Sequence, residues 1–69
     1  MEYEFINRLK VVLAEQRKTN RWLAEQLGKS EITISRWAQN KRQPSVEQLV
    51  DIAKVLDVDI TTLLNKTKK

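Results

Sequence analysis

Residues 19–37 read TNRWLAEQLGKSEITISRW, and this stretch decides the fold. Leu23, Ala24 and Leu27 share one face of a first helical pattern, and Ile34 and Trp37 share one face of a second. That is the apolar spacing of two helices packed across each other. Between them stands the only glycine in the chain. Gly28 follows directly on Leu27, where a helix most often closes with a residue at positive φ that glycine adopts at little cost. Ser30 then offers a side-chain oxygen to the free N–H groups of the next first turn. Residues 28–30 are therefore a tight corner rather than a linker, and two helices joined by such a corner form a helix-turn-helix.

Working outward, the pattern predicts a first helix over residues 4–16. Phe5, Leu9, Val12 and Leu13 make an apolar stripe with Ile6 beside it, while Lys10, Glu15 and Arg17 face outward. Thr19 is the expected N-cap of helix 2, with Asn20 and Arg21 in its first turn. Helix 3 is expected over residues 31–39, closed by Asn40 in the left-handed conformation. Pro44 forbids helical continuation, and Ser45 with Gln48 three residues on reads as a capping box for helix 4. That helix is expected to turn Val46, Leu49, Val50, Ala53 and Leu56 inward, with Ile52 at the edge. Asp59 caps a last short helix bearing Ile60, Leu63 and Leu64, and residues 65–69 are expected to fray. No strand pattern is present, so the expectation is an all-α fold of five short helices in a single domain over residues 1–69.

The totals narrow the function class. The chain has 69 residues, 41% hydrophobic and 32% charged, which suits a small folded domain rather than a disordered chain. It has no cysteine and no histidine, which removes disulfides, thiolate zinc sites and the common acid-base and nucleophilic side chains. Neither catalysis nor a cofactor or metal is expected. No stretch approaches the roughly 20 apolar residues of a membrane span, and the first ten residues lack a signal-peptide core. A soluble cytoplasmic protein is the expectation. Net charge is +4 and the pI is near 9.7. Between residues 17 and 42, seven bases against two acids make +5, whereas residues 45–60 carry one base against four acids, or −3. The basic segment coincides with the helix-turn-helix, which suits a polyanionic partner.

At this point the chain resembles the Cro and phage-repressor (xenobiotic-response-element) family of helix-turn-helix regulators, whose usual text is T-Q-x-x-L-A-x-x-L-G-V-S-x-x-T-I-S-R-W. Eleven positions match: Thr19, Leu23, Ala24, Leu27, Gly28, Ser30, Thr33, Ile34, Ser35, Arg36 and Trp37. Asn40, Lys41, Arg42, Pro44 and Ser45 continue the match. The resemblance implies a lambda-repressor-like domain, a transcriptional regulator, most simply a repressor, that puts helix 3 in the major groove of double-stranded DNA. It also implies a homodimer, because dimers of this kind read paired half-sites about 34 Å apart.

Carried over residue by residue, the resemblance makes Glu31, Ile32, Ser35 and Arg36 the base-reading side chains. Arg36 is suited to guanine O6 and N7, Glu31 to cytosine N4 and Ile32 to a thymine methyl. Thr19, Asn20, Arg21, Lys29, Thr33, Gln39, Asn40, Lys41 and Arg42 are the expected phosphate and positioning residues, and Gly28 makes the turn. The free amides and dipole at the start of helix 2 are a natural anion seat.

Several positions depart from the family text. Asn20 stands where Gln is usual, and Glu31 replaces a common Gln, which removes the bidentate adenine contact. Lys29 replaces an apolar residue, and Leu13 and Ala38 stand where many relatives carry an Arg–Glu pair. Trp22, at a usually polar position, leaves three readings open: packing on its own helix or a neighbour, an indole donor near phosphate, or a partner surface. Ile60, Leu63 and Leu64 are the candidate dimer interface, although Leu63 and Leu64 equally suit the monomer core. The competing class is a protein-interaction module, such as the antitoxin half of a toxin–antitoxin pair. No small-molecule effector is expected.

Overall fold

The structure, a computed structural model, describes residues 6–65. Its elements are α1 (Leu9–Glu15), α2 (Asn20–Leu27), α3 (Glu31–Ala38), α4 (Val46–Leu56) and a closing 3₁₀ turn (Ile60–Leu63). The fold is all-α, with four α-helices where five helices were expected, because the last one is too short to complete an α-helical turn. Among the described residues the only β-type pairing is an isolated antiparallel bridge between Asn7 and Leu64.

Most boundaries follow from side chains that satisfy the free ends of helices. Thr19 accepts the N–H of Trp22 at 3.0 Å and Ser30 accepts that of Thr33 at 3.1 Å. Ser45 and Gln48 form the expected reciprocal box, at 2.7 and 3.1 Å. Gly28 closes α2 at φ 68°, and Asn40 lies just beyond α3 at φ 60°. Arg17 and Asp57 also take the left-handed conformation, after α1 and α4.

Two boundary expectations are corrected. The first helix begins at Leu9, not within residues 4–8; Glu4 and Phe5 lie outside the described residues. Ile6 is a bend and Asn7 bridges to Leu64 instead, held by Asn65 N–H to the Ile6 carbonyl at 3.0 Å and Arg8 N–H to the Leu63 carbonyl at 2.8 Å. Asn7 Oδ1 accepts the N–H of Leu9 at 3.0 Å, a side-chain bond two residues along that starts a turn in place of a further helical turn. Ile6, expected beside the core stripe, is 51% exposed.

The second correction concerns α4. Val46 and Val50 are exposed and Ile52 is fully buried, so the inward stripe is Leu49, Ile52, Ala53 and Leu56. Both choices satisfy helical periodicity. The observed one presents its larger side chains to α2 and the 3₁₀ turn, against which α4 packs.

The core gathers Leu9, Val12 and Leu13 from α1, Leu23 and Ala24 from α2, and Ile34, Trp37 and Ala38 from α3. Ile52, Ala53 and Leu56 of α4 complete it together with Leu63. Leu13 and Ala38 thus replace an ion pair by buried apolar surface, an exchange that need not cost stability. Gln16 Nε2 donates to the Leu56 carbonyl at 2.9 Å and ties the ends of α1 and α4. No helix among the described residues is long and apolar enough to cross a membrane.

Candidate nucleic-acid interface

α3 is anchored by its inner face and free on its outer one. Ile34 and Trp37 are buried, and Glu31, Ile32 and Arg36 are exposed. Ile32 is 64% exposed, which separates it from the core despite its apolar side chain. Arg36 carries no ion pair among the described residues, so its guanidinium is available to an outside partner. Ser35 is half-buried and accepts from Gln39 Nε2 at 3.3 Å, while Thr33 shares a hydroxyl–hydroxyl bond with Ser30 at 3.0 Å. Those bonds fix rotamers along the outer face of α3 and limit the entropy lost when a partner arrives.

The start of α2 lies on one flank. The Thr19 hydroxyl takes the Trp22 amide, and the first-turn amides of Asn20 and Arg21 have no helical acceptor by the geometry of a helix start. Arg21 pairs with Glu25 at 3.6 Å, but both side chains are mostly exposed, so the pair holds the arginine only weakly. Trp22 packs half-buried against the core, with the Lys18 ammonium 4.5 Å from its ring centroid. Of its three sequence readings, the ring takes the intramolecular one. Lys29, in the corner, is exposed.

On the other flank, the loop after α3 folds back on its own helix: the amides of Lys41 and Arg42 both donate to the Arg36 carbonyl, at 2.9 and 3.3 Å. Thr33, Arg36, Trp37, Arg42, Gln43 and Gln48 line one polar cleft beside α3. Gln43 and Gln48 were not read as site residues, although the Ser45 capping box already placed Gln48 at the start of α4. Asn40 departs from expectation in its side chain. Its amide turns toward the amino-terminal segment, accepting from Asn7 N–H at 2.9 Å and donating to the Asn7 carbonyl at 3.1 Å. Lys41 and Arg42 are left as the exposed cations of that loop.

The residues named as a dimer surface divide. Leu63 is fully buried inside the chain and completes the core, which corrects its assignment to an interface. Ile60 is half-buried against the same core, and Leu64 is 37% exposed.

Residues 9–63 match the helix-turn-helix family of Cro/C1 type. The chain belongs to this family. The matched span runs from the first residue of α1 to the last of the 3₁₀ turn, so the whole described core lies within it. The helix-turn-helix chain is also similar to a solved structure described as a "putative DNA-binding protein from Bacteroides fragilis". The two are 63% identical, the match covers 87% of this chain and 97% of that one, and the TM-score is 0.85. No curated protein sequence matches the chain significantly.

Proposed function

We propose that this helix-turn-helix protein is a sequence-specific regulator that binds double-stranded DNA, most simply a repressor, acting on nucleoid DNA in the cytoplasm. One observation carries the proposal: α3 is clamped from behind by Ile34 and Trp37 while Glu31, Ile32 and Arg36 stand free on its outer face. A helix so presented fits the major groove. Arg36 then takes guanine, Glu31 a cytosine amino group and Ile32 a thymine methyl. Asn20 and Arg21 at the start of α2, and Lys41 and Arg42 after α3, hold the phosphates on either side.

The interaction-module alternative drew on Trp22, Ile60, Leu63 and Leu64. Trp22, Ile60 and Leu63 are all packed on the chain's own core, and of these four side chains only Leu64 is exposed. A homodimer remains part of the proposal, since one α3 covers only a half-site.

Selection of bound duplexes from a random pool, followed by anisotropy titrations over a salt series, tests the function. The expected consensus has paired half-sites, and Arg36→Ala costs about 1–3 kcal/mol and relaxes the preference at one base pair. Equal affinity for every sequence, or no binding at moderate salt, would overturn specific regulation.

A further inference from the structure

Asn7 is the one buried polar side chain among the described residues, 3% exposed, and nothing in the helix-turn-helix text assigns it a role. Every polar atom it offers is used. Nδ2 donates to the Trp37 carbonyl at 2.9 Å and to Gln43 Oε1 at 2.8 Å, and Oδ1 accepts the Leu9 amide at 3.0 Å. Its backbone exchanges two bonds with the Asn40 side chain, whose Oδ1 also accepts from Gln43 Nε2 at 3.1 Å. The bonds from Nδ2 span the end of α3 and the far side of the loop that follows it. Lys41 and Arg42 lie between these two attachment points and carry no ion pair among the described residues.

We propose that Asn7 is a positioning residue that presets the loop at residues 40–43, so that Lys41 and Arg42 meet the DNA backbone already ordered. The inference rests on the DNA-binding reading above. A polar side chain is costly to bury, and a fully bonded one rigidifies what it touches. Here the side chain touches the loop at Gln43 and the last turn of α3 at Trp37, and the Asn7 backbone holds the loop a second time through the Asn40 side chain. Ordering a long cationic side chain and its loop at the moment of binding costs affinity, and a loop held beforehand avoids part of that cost. The same cluster supplies a polar tie between the start of α1 and the end of α3, in a chain where Leu13 and Ala38 provide only apolar contact.

The test uses the full chain, its selected duplex and a random duplex of the same length. Asn7→Ser removes the two Nδ2 donors, adds no charge and keeps a hydroxyl able to accept the Leu9 amide. Binding to both duplexes should weaken by a similar factor, about tenfold, the scale of one charge-assisted contact. The salt slope should fall by about 1 for each of the two cations whose phosphate contact is lost, and Asn7→Ser added to a Lys41→Ala, Arg42→Ala variant should weaken binding no further. Amide hydrogen exchange without DNA should show Lys41 and Arg42, whose amides bond the Arg36 carbonyl, losing protection while α2 keeps its own. Gln43→Ala, at an exposed position, cuts the same network without endangering the core, so it decides the matter should Asn7→Ser not fold. An unchanged salt slope with additive losses, or unchanged loop protection in a folded variant, overturns the proposal. Absence of duplex binding by the parent sinks the DNA-binding reading instead, and loop protection then still reports whether Asn7 orders the loop.

Discussion

Gly28 shows how one residue can be required for its backbone alone. A Cβ built there meets nothing within 4 Å, yet φ is +68°, so the penalty for a side chain lies in the conformation and not in a clash. Gly28→Ala should lower stability by about 1–2 kcal/mol in urea melts, and Gly28→Asn by less, because Asn tolerates the left-handed region. Equal losses for the two would contradict a purely conformational cost. Asp59 makes a second residue-scale case. The Thr61 amide donates to its carboxylate at 2.9 Å and the Thr61 hydroxyl at 2.8 Å, and these bonds, the amide's first, lower its pKa. A lowered pKa stabilises the fold above the ordinary aspartate value, and that contribution is lost as pH falls through this value and on through the lowered one. The stability difference between the parent and Asp59→Asn should therefore shrink as the solution is acidified below about pH 4. A difference that does not change with pH would contradict a charge-dependent cap.

At the scale of elements, the caps and corners were legible because they depend on residues within four positions of each other. Thr19, Gly28, Ser30 and the Ser45–Gln48 box all stand where their side-chain chemistry placed them. The face of α4 was not legible, because two adjacent apolar stripes on one helix satisfy the same period. Stability measurements separate them: Ile52→Ala should cost about 2–5 kcal/mol, as for a large buried side chain. Val46→Ala, at a position 72% exposed, should change stability by less than about 0.5 kcal/mol. The start of α1 was misread for a related reason. An apolar stripe ran back through Phe5, and the one local sign against it was Asn7, a residue whose side chain competes with helical backbone bonds.

For the molecule as a whole, charge and anchoring point the same way. Most of the basic residues lie around α2 and α3, with Arg17 and Lys18 before α2, Lys29 in the corner and Lys41 and Arg42 after α3, and the acids of residues 45–60 lie in and after α4. A duplex approaching α3 is thus met by the positive part of the field. The proposed homodimer belongs to this scale too, and the burial of Leu63 decides which residue tests it. Leu63→Glu should unfold the chain, whereas Leu64→Glu, at a 37% exposed position, should leave the fold intact and shift sedimentation toward the monomer. Identical sedimentation of the Leu64 variant and a dimeric parent would remove Leu64 from the interface.

Short-range chemistry was enough to establish from the amino acids alone that this is an all-α chain built on a helix-turn-helix, where α2 and α3 are closed by Gly28 and Asn40, and that Ile34 and Trp37 face inward. Caps, left-handed closures and apolar periodicity act over a few residues and need no knowledge of the rest. The non-helical segment before α1, the buried face of α4, the place of Leu63 in the core and the inward turn of Asn40 were decided only by tertiary structure. Each depends on groups far apart in the chain, as when Asn7 reaches Trp37 and Gln43 across 30 and 36 residues. Only the packed molecule brings such partners within bonding distance.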